Sequence, residues 1–227
     1  MQDLFDSFEK CEDVRHERAI QFNREFFEPE RGINYYQVHH EGFIKKLSAH
    51  EFGKTTSSGE NLDAIIKYDL SQEEASIVYM YTHHHIYENL NHNLRNNFEN
   101  LDEDFKVYSN RLNSALDKLP SFSEQILYRD IRHPQNGNDA CLQYYEQNIG
   151  RALMFNDFQS CHTDDKRISD EETDFQFVIT TTKNSNAKDI QELTFVNNEK
   201  EVLFKNRTQF LIERVDKKEN RVYNKEI

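Results

Sequence analysis

The chain has 227 residues, enough for one large domain or for a domain with an extension. Its formal net charge of −13 excludes a general nucleic-acid binder, because such a protein needs a basic surface to face the phosphates. Only 36% of the residues are hydrophobic, and with 17 Phe, 11 Tyr and no Trp we expect aromatic side chains to fill much of the core. A nucleotide pocket stays open, since a single arginine can bind a phosphate in an acidic protein.

The N-terminal sequence does not resemble a secretory signal, and the cysteines do not suggest disulfides. No apolar run approaches membrane-spanning length, and the first residues, MQDLFDSFEK, are acidic and amphipathic, unlike a secretory signal. Cys11, Cys141 and Cys161 are widely separated and lack metal-ligand spacing, which favours a reducing compartment. We therefore expect that any export uses another device.

The first 120 residues are predicted to be helical. Apolar residues recur at helical spacing near the start, and the segment GKTTSSGEN suggests a boundary after a helical N-terminal extension, residues 1–60, of uncertain role. Ser71 and Glu74 form a capping box that begins a helix extending through YTHHHIYENLNHNLRNNF. A second amphipathic helix follows and ends at Pro120.

After this point short segments rich in β-branched and aromatic residues predict strands. Phe175, Phe177 and Ile179 alternate with other residues, as on one face of a sheet. Helices followed by strands predict an α+β fold with a mainly antiparallel sheet. The last residues, 217–227, are expected to form a charged C-terminal tail. The predicted strands are 126–132, 175–182, 200–204 and 208–215.

Several short motifs then follow one another in a fixed order. The first lies near the two ends of a helix, the second at a helix end, and the others on strands or on the loop before a strand. In chain order they are Tyr81-Thr82 with Asn91, Leu94 and Arg95; Leu119-Pro120; Tyr128-Arg129; Ser160 in FNDFQSCH; and Ile190 and Leu193-Thr194 before Glu199-Lys200-Glu201-Val-Leu-Phe.

In this order the motifs resemble the mono-ADP-ribosyltransferases of bacterial toxins, the group recognised by an Arg, a Ser-Thr-Ser strand and a Glu-x-Glu loop, as in clostridial binary toxins and related exoenzymes. The resemblance covers residues 71–216, which would form the catalytic domain. It implies a split β-sandwich of two crossed, mainly antiparallel sheets, with N-terminal helices and an NAD cleft between the sheets. It also implies cleavage of the bond between nicotinamide and ribose, with NAD as substrate and no metal.

The resemblance gives the two glutamates different roles. Glu201 matches the catalytic glutamate, which would hydrogen-bond a ribose hydroxyl and stabilise the positive charge that develops on the ribose as nicotinamide leaves. Glu199 would bind the acceptor, and a glutamate there goes with arginine because a carboxylate can orient a guanidinium. Outside these motifs, the same two residues would be interpreted as solvated glutamates beside a strand.

Four further residues take expected places in the site. Arg129, beside Tyr128 in the cofactor-binding strand, would clamp the pyrophosphate, because a planar guanidinium can bind two oxygens at once. Ser160 matches the first serine of the Ser-Thr-Ser strand and would hold Glu201. Phe158 is either a wall of the nicotinamide pocket or a core residue.

The chain departs from the family pattern at three positions, which bears on activity more than on fold. Cys161 and His162 stand where the pattern has Thr and the second Ser, and Asp130 stands where it usually has Gly. An acid is unfavourable next to a phosphate site. Successive residues of a strand point to opposite faces, however, so Asp130 need not face the phosphates that Arg129 would bind.

A metal site is the weaker interpretation of the histidines. Three adjacent histidines, 83–85, splay around a helix and cannot all face one ion, so a surface or interhelix position is favoured.

From the resemblance we expect a toxin or effector that modifies a target protein on arginine in the target-cell cytoplasm, with a possible delivery or immunity partner. The alternatives are an NAD glycohydrolase, a transferase to a non-protein acceptor, and an inactive relative that binds NAD or a partner.

Overall fold

The computed structural model describes residues 60–82, 84–96, 98–123, 125–131, 138–166, 175–194 and 200–227. Glu199 and all but the last residue of the expected N-terminal extension lie outside these ranges. The chain divides into two compact units. The described residues of Ser121–Ala187 and Lys200–Ile227 belong to one, the sheet unit, and those of Ala19–Pro120 and Lys188–Glu199 to the other, the helical unit.

The helical unit contains four α-helices in its described residues. A capping box begins α2, since Ser71 Oγ accepts from Glu74 N–H and the Glu74 carboxylate accepts from Ser71 N–H, as predicted. Helix α2 packs mainly against α4, where the buried Tyr108 hydroxyl donates to Ile77 O at 2.9 Å. The helices are α1 (Glu60–Lys67), α2 (Gln72–Tyr81), α3 (His84–Asn96) and α4 (Glu103–Asp117), with 3₁₀ turns at Phe98–Asn100 and Gln191–Leu193.

The segment predicted as one long helix is two helices, α2 and α3. Thr82 ends α2, because both its N–H and its hydroxyl donate to Tyr79 O, at 3.2 and 2.7 Å. The chain then turns into α3, which is tied back to α2 by a buried 2.9 Å bond from Asn91 Nδ2 to the Tyr81 hydroxyl. Across the described residues, every helix is too short or too polar to cross a bilayer.

The sheet has eight strands in the described residues, in the order β2-β7-β8-β4-β1-β3-β6-β5. The ladders β1–β3, β1–β4, β2–β7, β3–β6 and β7–β8 are antiparallel and β4–β8 is parallel, so the predicted α+β fold with a mainly antiparallel sheet is confirmed. The strands are β1 (Ile126–Ile131), β2 (Ala152–Met154), β3 (Gln159–His162), β4 (Phe175–Thr180), β5 (Ala187–Asp189), β6 (Glu201–Phe204), β7 (Gln209–Asp216) and β8 (Arg221–Glu226), with helix α5 (Asn138–Gln147) between β1 and β2.

The two predicted sheets are joined into this one order at a narrow junction. Strand β1 pairs with β4 over six residues, whereas β1 and β3 share the single register pair Tyr128↔His162. The strands therefore form two groups, β2-β7-β8-β4-β1 and β3-β6-β5, that meet between β1 and β3. We call this the β1–β3 junction.

Aromatic residues fill the core of the sheet unit, as the composition predicted. Phe175 and Phe177 are buried on the same side of β4, because alternate residues of a strand share a face. The Tyr145 ring, on α5, meets Phe177 edge-on with centroids 5.3 Å apart, and Phe204 meets Phe210 in the same way at 5.1 Å. Each such buried ring contributes about 2 to 3 kcal/mol to folding, so these rings fix the strands that carry the polar residues described below.

The C-terminal segment differs from the charged tail that was expected at 217–227. It contains β8, which lies between β4 and β7. Val222 and Asn224 are buried, and so is Glu226, whose carboxylate accepts from Thr182 N–H at 3.0 Å and Asn186 N–H at 2.7 Å. The charged residues of this segment predicted an exposed tail. One of them, Glu226, is instead buried and binds the backbone of the turn between Thr182 and Asn186.

Candidate active site

Ser160 and Glu201 lie on neighbouring antiparallel strands and are directly bonded. Strands β3 and β6 pair with Ser160 opposite Leu203 and His162 opposite Glu201, so Ser160 and Glu201 are diagonal neighbours on one face. The Ser160 hydroxyl donates to Glu201 Oε1 at 2.5 Å. A hydrogen bond to a carboxylate is short and about twice as strong as a neutral one. The bond therefore fixes the orientation of this carboxylate.

Arg129 reaches the same strand from the other side. It lies on β1, and its Nη1 donates to Ser160 O at 2.6 Å across the β1–β3 junction. The Arg129 Nε is buried and has no hydrogen-bond partner among the described residues. A buried guanidinium N–H without a partner is costly, so an acceptor oxygen from a bound anion would stabilise it. The structure thus brings Arg129, Ser160 and Glu201 together.

Tyr128, His162 and Glu201 form a row across three strands. Register pairs join Tyr128 on β1 to His162 on β3, and His162 to Glu201 on β6. Directly opposed residues of antiparallel strands share a face, so the three side chains project from the same side of the sheet. The Tyr128 and His162 rings are stacked, with centroids 6.1 Å apart and planes at 27°.

The acid and the histidine that depart from the family pattern contact each other. Asp130 Oδ2 lies 3.8 Å from His162 Nε2, and both side chains are largely buried. Asp130 Oδ1 accepts from Gln176 Nε2 at 3.0 Å, while Arg129 has a different partner, Ser160 O. The alternation argument had separated Arg129 from Asp130, and their different partners agree with it. The contact between Asp130 and His162 had not been foreseen.

Two pKa shifts describe the electrostatics around the row. The pKa of the Cys161 thiol is raised to about 12, mainly by burial, while Arg129 acts to lower it and the Glu201 carboxylate acts to raise it. Burial also raises the pKa of the Tyr128 hydroxyl, and the carboxylate of Asp165 acts in the same direction. Both groups are therefore neutral near pH 7, and Cys161 is not a nucleophile here.

The remaining predicted site residues are only partly described. Phe158 is completely buried, and its place in a nicotinamide pocket stays a prediction. Glu199 lies outside the described residues, as do the side chains of the three adjacent histidines. Within the ranges that the structure covers, no three His, Cys, Asp or Glu side chains are grouped so that they could hold a metal ion.

Sequence reasoning missed the bonds around the junction because their partners are far apart in the chain. Gln176 and Asp130 are 46 residues apart, and Arg129 and Ser160 are 31 residues apart. The one available signal was that two neighbours of the motif residues, Asp130 and His162, both departed from the pattern. When an acidic and a basic residue both replace the residues of a family pattern, a contact between them is a reasonable expectation.

One known protein family matches most of the chain. The model of the ADP-ribosyltransferase exoenzyme family matches residues 55–226. That range includes the helical unit from α1 onward, the row on the sheet and β8. A comparison with curated protein sequences found no match.

Several solved structures share the fold at low sequence identity. The ADP-ribosyltransferase HopU1 of Pseudomonas syringae pv. Tomato DC3000 is 20% identical, with a TM-score of 0.64 over 81% of this chain and 87% of that one. The Clostridium limosum C3 exoenzyme is 14% identical, with a TM-score of 0.61 over 78% and 94%. C3stau2 from S. aureus, solved with NAD, is 16% identical, with a TM-score of 0.56 over 72% and 90%.

Proposed function

The chain belongs to the ADP-ribosyltransferase exoenzyme family, and from that premise we propose that it transfers one ADP-ribose unit from NAD to an arginine of a target protein. The observation that carries the proposal is the 2.5 Å bond from Ser160 to Glu201, with Arg129 bound to the backbone of the same serine. These are the three residues that such an enzyme needs together, one for the phosphates and two for the ribose.

Glu201 supplies the electrostatic part of the reaction. When the bond between the ribose carbon and the nicotinamide nitrogen breaks, the electron pair leaves with nicotinamide and positive charge develops on the ribose. A carboxylate fixed beside the ribose stabilises that charge more in the transition state than in the ground state, which is the requirement for catalysis. Ser160 keeps the carboxylate in place, so little reorganisation is needed when the charge forms.

Arg129 holds the other end of the substrate. Its Nη1 is bound to Ser160 O, while its buried Nε remains available for an acceptor. A phosphate oxygen of NAD is such an acceptor, and a charge-assisted bond to it would fix the pyrophosphate relative to Glu201. The residues present therefore fit NAD as the substrate.

Glu199 determines the acceptor in this proposal. Its carboxylate, two residues before Glu201, would pair with the guanidinium of the target arginine and orient one of its nitrogens. That nitrogen forms the new bond to the ribose carbon and loses a proton to solvent. The assignment rests on the Glu-x-Glu sequence alone.

We further propose that the protein is a toxin or effector that acts in the cytoplasm of a target cell. The family description and the bacterial exoenzyme structures support this role. The net charge of −13 favours solubility and disfavours binding to nucleic acid, which suits an enzyme that must reach a protein target.

The test compares the wild type with Glu201→Ala and Glu199→Ala, using labelled NAD and a cell lysate. We expect that loss of Glu201 stops nicotinamide release. Loss of Glu199 should spare release of nicotinamide to water and stop transfer to protein. Hydroxylamine should remove the label from the wild-type product if arginine is the acceptor.

The other outcomes point to the alternatives. Nicotinamide release by the wild type without labelled protein indicates an NAD glycohydrolase or a non-protein acceptor. A label that resists hydroxylamine excludes arginine. If the wild type neither releases nicotinamide nor labels protein, the chain is an inactive relative and the proposed function is wrong.

A further inference from the structure

We propose that Asp130 and His162 are a coupled pair of positioning residues that sets the spacing between Arg129 and the Ser160–Glu201 bond across the β1–β3 junction. This inference rests on the proposed function. It concerns the two polar positions at which the chain departs most in size or charge from its family pattern, and which the structure places in contact.

The junction needs such a contact because its backbone ladder is minimal. Strands β1 and β3 share only the register pair Tyr128↔His162, whereas β3 and β6 pair over four residues and β1 and β4 over six. Arg129 lies on one side of the junction, and Ser160 with Glu201 lies on the other. The spacing between the phosphate clamp and the catalytic carboxylate is therefore set where the pairing of strands is shorter than in the ladders on either side.

The side chain of His162 is held on three sides at this junction. Its Nδ1 lies 2.7 Å from Asp164 O, and a carbonyl oxygen only accepts, so Nδ1 carries a hydrogen. Its ring stacks on Tyr128 of β1. Its Nε2 is buried, lacks a hydrogen-bond partner among the described residues, and lies 3.8 Å from Asp130 Oδ2.

Asp130 completes the link from the β1 side. Its other carboxylate oxygen accepts from the fully buried Gln176 on β4, so its orientation is fixed from the opposite direction to His162. Asp130 is thus bonded to the larger strand group and in contact with the smaller one. Without the His162 imidazole, the Asp130 carboxylate would keep its bond from Gln176 and lose its contact across the junction. Without the Asp130 carboxylate, the buried His162 Nε2 would lose the polar group that faces it.

Mutual dependence follows from this arrangement. Replacing His162 by serine removes the imidazole that faces the buried carboxylate, and replacing Asp130 by glycine removes the carboxylate that faces the imidazole. The double replacement puts the small residues of the family pattern, glycine and serine, at both positions. It removes the carboxylate and the imidazole together, so neither is left without the other. Coupling between contacting residues changes an equilibrium or rate constant by about twofold to 150-fold.

The experiment is a double-mutant cycle of Asp130→Gly, His162→Ser and the double variant, measured by nicotinamide release from NAD. We expect each single variant to lower kcat about tenfold, with KM for NAD changed less than twofold, because the clamp still binds while the carboxylate is misplaced. The double variant should be no slower than the worse single variant. Asp130→Asn should retain most of kcat, because the amide has nearly the same size as the carboxylate and its oxygen can still accept from Gln176.

Ile179→Ala is the control for general destabilisation of the sheet unit. Its side chain is buried in the core on β4 and belongs to none of the site motifs, so the variant should lower the melting temperature and leave kcat per folded molecule unchanged. Single variants that melt earlier but keep the wild-type kcat would overturn the positioning role. Effects of the two substitutions that simply multiply in the double variant would overturn the coupling.

Failure of the proposed function gives a different pattern. The wild type would then release no nicotinamide, and this result would also overturn the positioning role of the pair. A wild type that is active, a Glu201→Gln variant that is inactive and a cycle without coupling would instead overturn the pair alone. A cycle on the free energy of unfolding, measured on the same four proteins, reports the contact independently of activity.

Discussion

Ser160 and Glu201 are joined across β3 and β6 by a hydrogen bond of 2.5 Å, in which the hydroxyl donates to the carboxylate. This one bond links a residue of the altered Ser-Thr-Ser position to the residue that would stabilise the ribose charge. Its strength makes the first prediction quantitative.

Ser160→Ala should lower kcat for nicotinamide release about 10- to 100-fold, since a hydrogen bond to a charged group contributes about 1.5 to 3 kcal/mol. KM for NAD should change little, because the phosphates are held elsewhere. Steady-state kinetics of nicotinamide release measure both constants. Ser123→Ala, at a half-buried serine of the same unit whose hydroxyl donates to Ser121 O, is the control. An unchanged kcat in Ser160→Ala would remove the serine from the mechanism.

Arg129→Lys should raise KM for NAD about tenfold or more, because an ammonium is a point charge and cannot replace a planar guanidinium that binds two partners. In this variant the single ammonium group would have to bind both Ser160 O and a phosphate oxygen of NAD. Isothermal titration with NAD measures the loss directly. Arg151→Lys, an exposed arginine bonded to Asn148, should bind NAD as the wild type does. Equal affinity in both variants would contradict the clamp.

Cys161 should be nearly inert in the folded protein. Burial raises the pKa of its thiol from the ordinary 9.0 to about 12, so the reactive thiolate at pH 8 is about a thousandfold scarcer than for an exposed cysteine. Mass spectrometry of the Cys161 peptide after brief iodoacetamide treatment should show labelling only in denaturant. Rapid labelling of the native protein would mean that β3 is open to solvent.

The capping box of α2 should make the stability of the helical unit fall in acid. Desolvation favours the neutral form of Glu74, but the hydrogen bonds from Lys118 and Ser71 outweigh it and lower the pKa of this carboxyl below 4.5. A lowered folded pKa means that the stabilisation is complete above about pH 4.5. It is then lost as the pH falls through the folded value. In Glu74→Gln, the free energy of unfolding should depend less on pH in this window.

The same cap gives a second measurement at neutral pH. Ser71→Ala should lower the free energy of unfolding by about 1 kcal/mol, the usual contribution of an N-cap. Ser114→Ala, within α4, should be neutral or slightly stabilising, because that hydroxyl donates to a carbonyl one turn back. Denaturant unfolding of the two variants provides the comparison. Equal stability would show that the cap is not formed in solution.

The sequence predicted those parts of the fold whose signals are local. The alternation of Phe175, Phe177 and Ile179 identified β4, and Ser71 with Glu74 identified the start of α2. The break between α2 and α3 was not predicted, because apolar residues continue at helical spacing through Thr82. Strand β8 was missed because its inward residues include Asn224 and Glu226, so the usual pattern of apolar alternation is absent.

The candidate site divides in the same way. Arg129, Ser160 and Glu201 were found from motifs, because each is recognisable beside its own strand. The contact between Asp130 and His162 depends on how two distant strands are registered, and no local pattern encodes that register. The sequence motifs therefore identified Arg129, Ser160 and Glu201, whereas the contact between Asp130 and His162 became visible only in the structure.

The place of β8 has a consequence for how the sheet unit folds. This strand follows the other seven described strands along the chain, yet it is inserted between β4 and β7 and forms a parallel ladder with β4. The sheet unit cannot close on the ribosome until residues 221–226 have emerged, and contacts this distant along the chain form slowly. A chain that refolds from an extended state likewise completes its sheet only when this strand has been inserted.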